Sequence, residues 1–322
     1  MLRRSFGCLT ALIALAFAVP AHAQDYPSQP IKIIVPTPPG GIADVVGRTL
    51  AQKLSEAGKT AVVENRTGGA GAVAADAVAK APPDGHTLLI AMHQNIAILP
   101  SLGGKLPYDA SKDFAPITNI VGSANILVIN PSVPAKSMKE LVDYAKANPG
   151  KLTYASQGNG SSGHIVGEQF KQVAGVDIVH VPYRGAAPAM QDLLAGHVSI
   201  MFDILPLART QIAAGTVRAL AIASPQRSPA APDVPTVAEV GYPALEGGPW
   251  FGLAAPAGTP RPVIDWLNRE VRKIFAAQDV RERFISQGMD LPLGTPEEYT
   301  AFITAETKRW GDIIRRGNIK VE

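Results

Sequence analysis

The chain has 322 residues, a formal net charge of +3, six histidines and one cysteine, Cys8. A chain this long buries a core without covalent staples, and at about 100–200 residues per domain it suits two domains. No basic run exceeds a pair of residues, which excludes nucleic acid as an expected partner, and a single cysteine excludes an internal disulfide.

In chain order, the first element is Arg3-Arg4 followed by the apolar run "CLTALIALAFAV" and Ala21-His22-Ala23. This pattern reads as a secretory signal peptide over residues 1–23, cleaved after Ala23. The run is shorter than the roughly 20 apolar residues a spanning helix needs, and Cys8 lies too early in it to carry a lipid. The expected location is the periplasm.

"IKIIVP" (31–36) is apolar almost throughout and predicts a buried strand. In "VPTPPGGIADVVGR" (35–48) prolines stiffen the turn and Gly40-Gly41 opens a helix, with Val46, Leu50 and Leu54 at four-residue steps over 41–57. A helix start offers unpaired N–H groups and a positive dipole end. Thr37, Pro39, Gly40, Gly41, Ala43 and Asp44 are therefore candidate ligand contacts. Asp44 either complements the helix dipole or accepts from a ligand hydroxyl or amine. Residues 70–81 are Ala-rich and helical in composition. The strand "TLLIAM" (87–92) ends at His93, Gln94 and Asn95, and open α/β sheets bind ligands at strand carboxyl ends. His93 either donates to an anion or is hydrogen-bonded to local backbone.

"TYASQGNGSSGHIVGEQF" (153–170) contains Gly158, Gly160 and Gly163 as G-x-G-x-x-G between a strand-like and a helix-like run. A dinucleotide site also needs an acidic residue ending the next strand. That strand, "DIVHVP" (177–182), ends instead in Tyr183-Arg184-Gly185, which argues against a nicotinamide site. Two readings remain open. One is an anion site built from glycine-permitted backbone approach, a helix N-terminus and the Ser161 and Ser162 hydroxyls, flanked by Gln157 and His164. The other is a plain glycine turn with a serine cap. "VPYRGAAPAMQDLL" (181–194) repeats the strand–turn–helix form and adds Tyr183, Arg184, Gly185 and Ala186. Arg184 is either a bidentate carboxylate partner or a solvated side chain at a cleft rim. Asp203, ending "VSIMFD" (198–203), completes the candidate set, and "RALAIA" (218–223) is the next strand.

Proline-rich "SPQRSPAAPDVP" (224–235) reads as a connecting segment, and a second break falls near 123–131. If both are crossings, residues 24–124 and 226–322 form one lobe and 125–225 the other, with a cleft between them. Ser137/Glu140, Thr236/Glu239 and Thr295/Glu298 are capping-box patterns marking helix starts. Residues 260–276 show helical spacing, and a last helix carries Tyr299, Phe302, Ile303, Glu306 and Trp310. Strands alternating with helices predict an α/β fold with parallel sheets. No G-x-S-x-G, H-x-x-x-H or H-E-x-x-H spacing is present, and no carboxylate pair is picked out by spacing. No catalytic residue, cofactor or metal is expected.

The segments "YPSQPIKIIVP…GGIAD", "VVENRTGGAGAVAADAVAKAPPDGHTLL", "GKLTYASQGNGSSGH", "VHVPYRGAAPAMQDLLAGHVSIMFD" and "RSPAAPDVPTVAEVG" occur in this order. With them the chain, from about Tyr26 to its end, resembles the substrate-binding proteins of the tripartite tricarboxylate transporter family, the Bug-like receptors. The resemblance implies a two-lobed Venus-flytrap fold with mixed, mostly parallel sheets and a ligand cleft between the lobes. It implies a small carboxylate ligand (a di- or tricarboxylate, an aromatic acid or similar) held by backbone amides and waters at the loops matching 37–44, 92–95, 157–164 and 183–188. It further implies a monomer that serves one large and one small membrane subunit. Thr37-Pro38-Pro39 and Met92-His93-Gln94 depart from the family's usual small or aromatic residues, so the ligand is expected to be unusual. A ligand-presenting sensor subunit and a secreted enzyme acting on a carboxylate are the alternatives.

Overall fold

The computed structural model describes residues 26–103 and 105–319. The segment read as a signal peptide lies outside the described residues. From the N-terminal side, β1 (Ile31–Val35), α1 (Ile42–Glu56), β2 (Ala61–Asn65), α2 (Ala72–Ala79), β3 (Thr87–Met92) and β4 (Phe114–Ser123) begin a first sheet with its helices. The chain then enters a second sheet through β5 (Asn125–Ile129), α3 (Met138–Ala147), β6 (Thr153–Ser156), α4 (Ser162–Ala174) and β7 (Val179–Pro182). That sheet continues through α5 (Ala186–Ala195), β8 (Ile200–Ile204), α6 (Leu205–Ala213) and β9 (Arg218–Ile222). It returns to the first sheet with β10 (Trp250–Pro256), α7 (Arg261–Ala276), α8 (Gln278–Ile285) and β11 (Met289–Asp290), and closes with α9 (Pro296–Gly317). The strand orders are β11-β4-β10-β3-β1-β2 and β7-β6-β8-β5-β9.

Both sheets are mixed. The βαβ units pair in parallel, β1 with β2 and β3, and β6 with β7 and β8. The first strand after each crossing runs antiparallel to both neighbours: β5 to β8 and β9, β10 to β3 and β4. Continuous apolar runs become strands covered on both faces where they sit inside a sheet, as β5 and β10 do, buried at every position. "DIVHVP" differs. Its strand, β7, is a sheet edge with Val179 exposed, and it tolerates Pro182 because the outer side of an edge needs no ladder hydrogen bond.

The two crossings lie side by side. Ser123 N donates to Pro249 O at 3.0 Å, Gly247 N to Ala223 O at 2.8 Å and Ala223 N to Asn125 O at 2.7 Å. Within "SANILVINPSVP" Ser123 and residues 125–129 are strand, and the first crossing is confined to Ala124, between β4 and β5. A third tie is α9. Its buried Trp310 and Ile314 belong to one apolar core with Leu89 and Ala254 of the first sheet and Phe170 and Phe202 of the second.

Two capping-box patterns start helices as expected. Thr295 and Glu298 exchange both bonds. Ser137 accepts from Glu140 N, while the Glu140 side chain caps Lys136 N instead. The third is a correction. Thr236 and Glu239 make both capping bonds, yet only a single turn forms, because Gly241 takes φ 89° and Pro243 follows it.

Candidate functional site

A cavity of about 150 Å³ lies between the sheets, with Thr37, Ala43, Met92, His93 and Phe251 on the first-sheet side and Gln157, Ser161, Ser162 and Ile204 on the other. Ile42, Gln94 and Pro249 complete its wall. Its volume falls below the roughly 300–1,000 Å³ of drug-sized sites, so it suits a molecule of few heavy atoms.

Two helices from different sheets begin at this cavity. Helix α1 starts after Gly41 with no side-chain cap, so the amides of its first turn are free for a ligand. Helix α4 starts after Ser161, whose Oγ accepts from His164 N at 3.2 Å. The Ser161 hydroxyl hydrogen remains to be donated. Ser162 Oγ donates to Asn125 Oδ1 at 3.2 Å, which fixes its rotamer against the crossing strand. No charged side chain lines the cavity. The polar groups a negative ligand can meet there are hydroxyls, amides, the His93 ring and two positive helix-dipole ends.

Seven candidate residues come together in this wall: Thr37, Ala43, His93, Gln94, Gln157, Ser161 and Ser162. Pro39, Gly40 and Gly41 form the turn that delivers α1, with Gly40 at φ 88°. Asp44 does not line the cavity. It accepts from Gly40 N, Arg48 Nε and Asn65 Nδ2 at 2.8–2.9 Å. Its carboxyl lies below the usual range because these three bonds outweigh the opposing effect of desolvation. Asp44 therefore braces the turn.

Asn95 is also structural. Its Oδ1 accepts from Met92 N at 2.9 Å and its carbonyl from Tyr108 Oη at 2.6 Å, holding a π-helical turn over Gln94–Ile98. Such widened turns occur at functional sites, and this one aims Gln94 at the cavity. His164 supports the glycine loop from beneath. Its Nδ1 accepts from Gly160 N at 3.1 Å, and its ring stacks on His180 at 4.3 Å. Tyr183 donates to Asp192 Oδ2 at 2.7 Å. Tyr183, Arg184, Gly185 and Ala186 lead into α5 without lining the cavity, and Arg184 is exposed. Asp203 is fully buried behind Gln157.

His93 is 3% exposed, and its ring lies 6.3–6.5 Å from those of Trp250, Phe251 and Trp310. Burial holds its pKa down to about 3, partly offset by the Trp250 main chain. It is neutral at physiological pH and supplies polarity without charge. Sequence reasoning missed Ile42, Ile204, Pro249 and Phe251 as wall residues. As apolar positions in or beside strands and helices, they carry no signal separating cavity from core. Met92 had one, as part of the unusual Met92-His93-Gln94.

Two lobes joined by paired crossings, with a small cavity where helix N-termini of both lobes meet, define a solute-binding protein of the two-lobed kind. The model of the tripartite tricarboxylate transporter family receptor matches residues 42–319, and the chain belongs to that family. It is 37% identical to Protein BugT of Bordetella pertussis over 322 residues, 99% of each chain. Among solved structures it is similar to the periplasmic binding protein BugD (33% identity, TM-score 0.83, 92% of this chain and 100% of that one). It is also similar to R. palustris Rpa4515 with adipate (34%, TM-score 0.86, 92% and 99%). A third is MatC from Rhodopseudomonas palustris with bound malate (33%, TM-score 0.81, 90% and 100%). The family and these neighbours are solute-binding proteins, and BugD is described as periplasmic.

Proposed function

We propose that this protein captures a small carboxylate between its lobes in the periplasm and delivers it, chemically unchanged, to a tripartite transporter. In this reading the lobes are residues 24–124 with 226–322 and residues 125–225. Residues 1–23 direct export, the mature chain acts as a monomer, and its partners are one large and one small membrane subunit. The observation that carries the reading is the meeting of the α1 and α4 N-termini at one cavity whose wall holds no charged side chain. An anion there gains charge-assisted hydrogen bonds from main-chain donors, strengthened as water is excluded. The adipate and malate complexes of its structural neighbours support the same ligand class. The one close serine–histidine pair in reach of this loop, Ser156 Oγ with His180 Nε2 at 2.7 Å, is not part of the cavity wall, and no cluster of metal-ligating groups is found among the described residues.

The test is a thermal-shift screen of aliphatic and aromatic carboxylates on the chain from Gln24 onward. At least one acid raises the melting temperature; the absence of a shift with every acid at millimolar concentration overturns the reading. Ala43→Leu then checks the location. Ala43 lies in the first turn of α1 and lines the cavity, so a leucine there fills the space a ligand needs. Calorimetry on the acid found in the screen should show at least tenfold weaker binding, with the circular dichroism spectrum retained.

A further inference from the structure

Asp203, the last residue but one of β8, is 0% exposed and meets no cation. Gln157 Nε2 donates to its Oδ1 at 3.1 Å and to the Phe202 carbonyl at 3.2 Å, while Oδ2 has no hydrogen-bond partner. A carbonyl only accepts, so the amide orientation is fixed: Nε2 faces Phe202 and Oε1 faces the start of α4. There a Cβ on Gly163 would lie 2.6 Å from Oε1, so the glycine leaves the room that the Gln157 side chain occupies. Gln157 and Ile204, both touching Asp203 or next to it in the chain, line the cavity. The carboxyl therefore stands one side chain behind the wall where α4 begins.

Burial pushes Asp203 up to about 7, against the smaller lowering effects of the Ile204 main-chain N–H and Gln157. No neighbouring element offsets its charge. Strand β5 brings no titratable group, and Tyr154 of β6 is tied to Glu168. On α4, His164 turns to Gly160, and Glu168 pairs with Lys171. Asp192 of α5 is held by Tyr183 and His197. Arg209 of α6 is exposed, and His93 across the cavity is neutral.

We propose that Asp203 is a proton-linked positioning residue: it fixes the Gln157 amide at the cavity wall, and an anion docking at α4 shifts its carboxyl toward the protonated form, with the proton drawn from solvent. This rests on the carboxylate-capture reading above. An anion roughly 10 Å away, at an effective dielectric of about 20, moves a neighbouring carboxyl by on the order of one pKa unit. Linkage then gives an uptake of about 0.4 proton per ligand at pH 7 and about fivefold weaker binding at pH 8 than at pH 6.

The experiment is calorimetry of the mature chain with adipate and malate at pH 7, in Tris and in a buffer of low ionisation enthalpy, followed by a titration series from pH 6 to 8. The expected result is a buffer-dependent enthalpy and a dissociation constant that rises with pH. Asp203→Asn keeps an acceptor for Gln157, so it should lose both effects and hold the low-pH affinity throughout. Asp203→Ala frees Gln157 and should weaken binding at every pH. Wild-type binding indifferent to pH and buffer overturns the proton linkage, even if neither variant folds, and leaves carboxylate capture intact. Proton uptake that persists in Asp203→Asn assigns it to another group and equally overturns the proposal. If no carboxylate binds in the thermal screen, the capture reading fails, and this inference with it.

Discussion

His93 shows how a single side chain can be conspicuous in a sequence while its charge state is not. Its place after a strand, where the family has a small residue, marks the pocket from sequence alone. Its state is not legible there, because neutrality comes from Trp250, Phe251 and Trp310, more than 150 residues away in the chain. The state has a consequence for stability. The folded pKa lies near 3, below the roughly 6.5 of an unfolded histidine. Between those values the unfolded chain binds a proton that the native one does not, so stability is full above about pH 6.5 and falls as pH drops toward 3. The buried His164 and the half-buried His180 shift in the same direction. Replacing His93 with Phe should flatten this acid limb by about one proton, or about 1.4 kcal/mol per pH unit. Urea unfolding between pH 4.5 and 6.5 measures the slope, and an unchanged slope would show that His93 is protonated in the native state. Asp44 and Asn95 carry the complementary lesson. Polar residues in site loops read as ligand contacts, while the structure spends both on holding backbone turns.

At the scale of elements, period and punctuation were dependable where local chemistry decides the outcome. Thr295-Pro-Glu-Glu298 specifies the start of α9 through a cap, a reciprocal glutamate and a proline at the first helical position. Thr295→Ala removes the Oγ acceptor of Glu298 N and should lower stability by about 1 kcal/mol, read from the shift in urea midpoint at constant m-value. A loss near zero would mean that the tertiary packing of Tyr299 and Trp310 alone sets the helix start. The same pattern at Thr236 yields only a turn, since a cap starts a helix that Gly241 and Pro243 do not allow to propagate. Strand order was less legible. The apolar runs of β1, β3 and β8 stand out, whereas the antiparallel placing of β5 and β10 depends on which way the chain turns after each crossing. No local pattern encodes that turn.

At the scale of the whole molecule the two crossings and α9 join these parts. Ser123, Ala223, Asn125, Gly247 and Pro249 bind the two crossings into a single short ribbon. A side chain on Gly248 would strike the Ser123 carbonyl, so the ribbon stays narrow enough to twist. Helix α9 adds an apolar contact to the second lobe through the core that holds Trp310 and Phe170, limiting how far the lobes can part. The cavity takes its walls from both sides of this ribbon: Thr37 and Phe251 face Gln157 and Ser161 across it. A ligand seated there touches both lobes only when they are together, and it can shift the equilibrium only by that difference in contact. Closure about the ribbon is thus the expected response. Small-angle scattering should give a smaller radius of gyration for the mature chain at saturating carboxylate than without it. Gly248→Val, by blocking the ribbon, should reduce that change and weaken binding although it lies outside the cavity wall. Identical scattering curves with and without ligand, at a concentration where calorimetry shows saturation, would mean that the lobes are already fixed together and that α9, not the ligand, holds them.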